Sequence, residues 1–377
     1  MPRRLLLLGA GPVHAQVLAA FAREPLVGAE LALLSADPHL VHAARVPAFV
    51  AGRLPAAACR NDTAALAAAA GATWVRGRVA AVDAAARRVT LADGAELEAD
   101  LVSVDEPAGA DIAALEGARE HALALQPAER FVALFDGLVE LAARKPVDVV
   151  VVGFGAAAVE TTLALAQRLA PRGDERARIA LVAGADGLLP GWPAAALAEV
   201  QRLLARARIT VFREPCAALR ADAAVLASGA RLACDAALLA LPPRPAAWLA
   251  SSGLALADDG QPAVTPTLQS TSHPDWFAPG AAAEAAAAAL TLQLRRAAAA
   301  AAGPLPPVKI RPPALRWLRC GQGRALAVWR RGVLAGLAAG AWCDRLDRLS
   351  FERAGIAPGA ARAGAAAGAA ATRSAGS

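Results

Sequence analysis

The chain has 377 residues, which is enough for two or three domains. Hydrophobic residues make up 56 % and charged residues 19 %, so a large core can be buried and a disordered chain is excluded. The net charge of +6 comes mostly from arginines spread along the chain, and no basic stretch is interleaved with base-stacking aromatics, which argues against a nucleic-acid partner.

The first residues, Met1-Pro2-Arg3-Arg4-Leu5-Leu6-Leu7-Leu8, give a charged and apolar start that imitates a signal peptide. The apolar run breaks at Gly9-Ala10-Gly11, and Val13 to Arg23 reads as a helix. A strand, a Gly-x-Gly turn and a helix form the opening of a dinucleotide-binding unit. Gly9 permits the tight turn, Gly11 lets the backbone approach a pyrophosphate, and the helix N-terminus attracts that anion. His14 stands where a third small residue is usual. Glu30 to Ser35 reads as the second strand, and Ser35 with Asp37 falls where an acid often binds the ribose. Pro38 to Pro55 reads as a loop and Thr63 to Ala70 as a helix. A meander of short strands follows, with its turn at Asp93-Gly94, and then the buried strand Leu101 to Val104. Ile112 to Arg144 reads as helix and loop.

Val147 to Glu160 repeats the opening: an apolar strand, Gly153-Phe154-Gly155, and a helix that now has the small residue Ala158 in third place. A strand at 178–182, a helix at 192–207, a strand at 209–212, a second meander with its turn at Ser228-Gly229 and a buried strand at 236–241 follow. The first glycines, 9 and 153, are 144 residues apart, and the meander glycines, 94 and 229, are 135 apart. The order of elements therefore occurs twice, which a chance glycine turn does not produce. Two dinucleotide units in tandem suit hydride relay, one holding a flavin and the other a nicotinamide nucleotide. From Leu254 the chain is expected to return to the first unit. Pro304 to Pro313 reads as a linker, Ala314 to Arg353 as a hairpin turning near Gly332 followed by a helix, and 356–377 as a disordered Ala/Gly tail.

The expected fold is α/β: two tandem Rossmann-like dinucleotide-binding domains with β-meander insertions, plus a small C-terminal α+β unit. The expected domains are 1–144 with 246–303, 145–245, and an interface unit at 304–355. The five cysteines, Cys59, Cys216, Cys234, Cys320 and Cys343, contain no C-x-x-C pair, so neither a zinc ribbon nor an adjacent redox disulfide is expected. His39 and His42 lack partners at metal-ligand spacing, so no metal is expected. No apolar segment is long enough to span a membrane. A cytoplasmic protein is expected, with peripheral contact at the inner face of a membrane left open by Trp317, Trp329, Trp342 and their arginine neighbours. Packing of the C-terminal unit within a homodimer or against the first domain is expected ahead of membrane contact.

These motifs resemble the FAD/NAD(P)-binding pyridine nucleotide-disulfide oxidoreductases. The branch most similar is that of type II NADH dehydrogenases and the NADH dehydrogenase-like domain fused to selenide, water dikinase. The resemblance covers about residues 4 to 353. It rests on the first turn with His14, on Ser35-Ala36-Asp37-Pro38-His39, on Val46 to Gly52, on Gly153 to Glu160, on Thr267 to Ala278, and on Trp342 to Arg348. It implies FAD held by Gly9, Ala10, Gly11, His14, Ser35, Val46, Pro47, Gly280 and Ala281. It also implies NAD(P)H held by Gly153, Gly155 and Ala158, with Glu160 as the catalytic-site carboxylate near the nicotinamide–flavin contact. Electrons would pass to a quinone or another diffusible acceptor.

Four segments depart from the family pattern. Ala281 stands in place of the Asp that holds the ribityl chain, and Ala240-Leu241-Pro242 replaces the small-Thr-Gly turn. Asp105-Glu106-Pro107 replaces an acidic–apolar–Gly–Ser segment, and an alanine tract follows residue 281 in place of a Lys- and Gln-bearing stretch. Each change removes polar ligands or adds bulk, and a lost hydrogen bond to a buried hydroxyl costs about 1–3 kcal/mol. The other reading is therefore a degenerate relative that binds cofactor weakly or not at all and serves as a partner or regulatory protein.

Overall fold

The computed structural model describes residues 3–106, 109–169, 177–185, 187–280, 285–299, 304–310, 315–329 and 332–353. The central strand β1 (Arg3–Leu8) lies in a five-stranded parallel sheet in the order 276–277, 101–104, β1, β2 (Ala29–Ser35), 73–76. Its four leucines explain the placement. Side chains alternate across a strand, so Leu5 and Leu7 enter one apolar cluster with α1 (Pro12–Arg23), while Leu6 and Leu8 enter another on the opposite face. A strand buried on both faces needs an unbroken apolar run. The meander 79–83, 88–91 and 96–98 and Trp276 cover that opposite face.

The second half is built the same way. Strand Asp148–Val152 is central in a second five-stranded parallel sheet ordered 122–124, 236–239, 148–152, 178–182, 210–212. Val149 and Val151 face one cluster and Val150 and Val152 the other. The tandem α/β architecture expected from the repeat is the architecture observed.

Several boundaries differ. Strand Ala122–Ala124 pairs in parallel with 237–239, so the second sheet draws on the chain well before residue 145, and helix Ala128–Arg144 packs into its core. The strand is only three residues long, too short for a period to register. Within Pro38–Pro55, strand His39–Val41 pairs with Arg60–Asp62, and α2 (Val46–Val50) forms a short helix. Partners distant in sequence, not local propensity, order that segment. The C-terminal unit has three antiparallel strands, 315–319, 325–329 and 332–336, not a single hairpin. Its first turn closes at Gly321, where the Arg324 N–H donates to the Gly321 carbonyl. The helix Leu337–Arg353 follows, and Trp317 meets Trp342 edge to face at 5.4 Å. The segment 304–310 is not a free linker: the Gln293 amide donates to the Pro306 carbonyl, and Leu305, Val308 and Ile310 pack on the first core. No described helix is long and apolar enough to cross a membrane.

Candidate functional site

Both glycine turns form as the sequence requires, for a steric reason. A Cβ on Gly9 would stand 2.5 Å from the Asp105 carbonyl oxygen, and one on Gly153 would stand 2.4 Å from the Ala240 carbonyl oxygen. The neighbouring strand ends too close for any side chain. Gly9 N–H donates to Leu34 and Gly153 N–H to Val182, so each turn is pinned to the adjacent strand.

The helix N-termini beyond the turns differ. At the second turn, a Cβ on Gly155 would meet nothing within 4 Å, and among the described residues no carboxylate takes the first N–H groups of the helix Ala156–Arg168. Open space beside a helix N-terminus fits a dinucleotide pyrophosphate. Ala158 is fully buried, and its methyl would lie 3.1 Å from a Cβ on Gly153, a second reason that residue 153 carries no side chain.

At the first turn the same place is filled. The Asp105 carboxylate accepts from the Val13 N–H at 2.8 Å and the His14 N–H at 2.7 Å. The Asp105 carbonyl accepts from the Gly11 N–H at 2.9 Å, and Pro12 has no N–H to offer. A Cβ on Gly11 would lie 2.4 Å from the Asp105 carboxylate. Strand register explains this: Leu8 lies opposite Val104, so the next residue stands over the turn. Glu106 lies beside it. Burial, opposed by Arg78, pushes the Glu106 carboxyl up to about 7, and Asp105 and Asp37 add to the shift. In this conformation the first turn offers no free N–H at Gly11, Val13 or His14, and it does not fit a pyrophosphate as it stands.

The remaining expected residues are scattered around these turns. His14 is fully buried; its ring bonds the Gly9 carbonyl at 2.7 Å and Ser103 Oγ at 2.9 Å. Both ring nitrogens are thus engaged by the protein, and the ring braces the turn rather than facing a ligand. Burial holds its pKa below the usual value. Ala10 is buried beneath the turn, and Ser35 is buried at the end of β2. Val46 and Pro47 are buried in α2, which packs on the helix Ala156–Arg168. Val46 joins the core shared by the two halves. Gly280 has φ +65°, and Ala281 lies outside the described residues.

Glu160 lies five residues after Gly155. Its carboxylate accepts the Arg319 backbone N–H at 2.5 Å, so the C-terminal unit closes over it. Burial pushes its pKa up to about 7, and the Arg319 N–H and guanidinium pull the other way. Arg319 also bonds Asp344 at 2.6 Å and pairs with Asp347, while Arg53 reaches Asp344 at 3.0 Å. Nothing in the sequence marks Arg319, which is distant from every motif. Glu106 and Pro107, not the acidic Asp105, are the departures legible in the sequence, and only pairing of the strands shows what the Asp105 side chain does. All five cysteines are free, and burial pushes Cys59 up to about 11 and Cys320 up to about 12. Those values describe inert thiols. Among the described residues no group of His, Cys, Asp and Glu is placed to hold a metal ion.

Two parallel sheets, each opened by a glycine turn on a helix, define a protein with two dinucleotide-binding domains. The chain belongs to the pyridine nucleotide-disulphide oxidoreductase family, whose model matches residues 2–302. The family consists of flavin-dependent NAD(P)H oxidoreductases; by membership this chain is an enzyme of that class, with FAD and NAD(P)H as its cofactors. Its fold is similar to that of the sulfide:quinone oxidoreductase of Aquifex aeolicus, with a TM-score of 0.74 at 17% identity over 95% of this chain and 93% of that one. NDH2 from Plasmodium falciparum, solved in complex with NADH, gives 0.74 at 11% identity over 94% and 97%. A NAD-dependent persulfide reductase from A. fulgidus gives 0.69 at 15% over 86% and 63%. No curated protein matches the sequence.

Proposed function

We propose that this chain oxidises NAD(P)H held at Gly153, Gly155 and Ala158 and delivers the electrons to a quinone or another diffusible acceptor. The observation that carries the reading is the open space beside Gly155 at the N-terminus of the helix Ala156–Arg168. Helix dipole and backbone N–H groups there suit the two phosphates of a nicotinamide dinucleotide. Glu160 follows on the same helix, and its pKa near 7 lets it hold or release a proton at neutral pH. In the family, the bound flavin supplies the hydride-accepting chemistry. Lacking a C-x-x-C pair, the chain has no adjacent dithiol of that spacing to receive electrons, which supports an external acceptor. Sulfide:quinone oxidoreductase is a quinone-using protein by name and shares the fold. Trp329, Leu334, Leu337 and Trp342 are exposed on the C-terminal unit and suit an acceptor that partitions into a membrane.

The test is the visible spectrum of the purified protein loaded with FAD, followed by anaerobic NADH or NADPH. A flavin band that bleaches, and returns when a soluble quinone is added, supports the reading. A loaded flavin that neither nucleotide bleaches overturns it. The degenerate reading has one observation in its favour, the self-occupied first turn. A protein that takes up no FAD at any concentration establishes it.

A further inference from the structure

We propose that Asp105 is an internal competitor for the anion position of the first dinucleotide turn, so that FAD enters only when this carboxylate leaves the N-terminus of α1. The proposal rests on the reading that this turn is the flavin site. Three observations carry it. The carboxylate takes the Val13 and His14 N–H groups at 2.8 and 2.7 Å, the donors that a pyrophosphate oxygen would use. It stands 2.4 Å from where a Cβ on Gly11 would be, which is the space that the second glycine of the motif keeps clear for a phosphate. The second turn, built on the same plan in the same chain, keeps the corresponding space at Gly155 empty. The two turns thus differ at residue 105, whose carboxylate and backbone carbonyl both crowd the Gly11 position.

Charge works in the same direction. Asp37 and Glu106 lie near enough to Asp105 to interact with it or with each other electrostatically, and Arg78 is the cation that faces Glu106. A doubly charged pyrophosphate arriving here must displace one carboxylate and tolerate its neighbours. The contacts that the Asp105 carboxylate makes are between a side chain and backbone, so it can rotate away without breaking a strand pairing. The Gly11 N–H bond to the Asp105 carbonyl keeps the turn in place meanwhile. Flavin uptake by this chain is then weak, and occupancy follows the free FAD concentration.

The experiment is a titration of flavin-free protein with FAD, read by quenching of flavin fluorescence, for the wild type, D105A and D105N. D105N can keep an accepting oxygen on the helix while removing the charge, so it remains informative if D105A fails to fold. Circular dichroism verifies folding of each. The expected result is a Kd for FAD at least tenfold lower in D105A and lowered by a smaller factor in D105N. NADH binding, measured separately by protein fluorescence, should be unchanged in both variants. Folded variants whose Kd for FAD equals or exceeds that of the wild type overturn the proposal while leaving the flavin site where it is. If neither the wild type nor any folded variant takes up FAD, the reading of the first turn as a flavin site fails, and the proposal with it.

Discussion

Two residues of the second turn separate architecture from ligand space. Gly153 has no room for a Cβ because the Ala240 carbonyl is 2.4 Å away, whereas Gly155 has φ −80° and open space beside it. Substitution should split these roles. G153A should destabilise the fold by more than about 1 kcal/mol, seen as a lower Tm. G155V should leave Tm nearly unchanged and weaken NAD(P)H binding at least tenfold in a direct titration. Glu160 carries a different signal. Its pKa rises from 4.5 to about 7 on folding because its environment disfavours the charge. The folded state therefore binds more protons than the unfolded state between these values. This residue imposes no penalty below about pH 4.5, an increasing one as pH rises, and the full one above about pH 7. E160Q should remove that dependence. Thermal melts of the wild type and E160Q compared at pH 5 and pH 8 should show the variant gaining relative stability at pH 8. Equal shifts at both values would count against a buried Glu160 charge.

At the scale of elements, the C-terminal strand and helix are joined through Arg319. Its guanidinium is mostly buried between Asp344 and Asp347, and its backbone N–H reaches Glu160 on a helix of the second domain. The arginine thus ties three elements together, and removing it leaves two carboxylates short of a partner. R319A should cost about 1–3 kcal/mol. Hydrogen exchange should find the helix Leu337–Arg353 losing protection before either parallel sheet does. Uniform loss of protection would show instead that the C-terminal unit folds as one piece with the rest. The same strand shows why its residues escaped notice in the sequence. Its contact with Glu160 joins positions more than 150 residues apart, and no local period records it.

For the molecule as a whole, the contact between halves is an apolar core. α2 of the first half contributes Val46, Phe49 and Val50 to the cluster that also holds Val159 and Leu163 from the second. Phe49 meets Phe135 edge to face at 5.4 Å. A shared core of this kind couples the halves, unlike the small polar interfaces that let domains swing. Calorimetry of the wild type should therefore give one cooperative transition. F49A, which empties part of that core, should cost about 3–5 kcal/mol of stability and separate the halves into two transitions. The segments that run between the halves reinforce the coupling, since Gly109–Ala110 and Pro243–Arg244 meet as an antiparallel pair.

The tandem plan is legible in the amino-acid sequence. Unbroken runs at Leu5–Leu8 and Val149–Val152 demand strands buried on both faces, and Gly-x-Gly before an alanine-rich helix demands a tight turn. Those are local requirements, so they can be read without a partner in view. What fills the first turn and leaves the second open depends on contacts between distant segments. Asp105 reaches Val13 and His14 because the register of two parallel strands places residue 105 over residue 11. Val46 is drawn into the core between the halves, and Pro47 is buried beside it in α2. His14 turns inward to Ser103 for the same reason: a buried ring must find partners, and the strand beside it provides them.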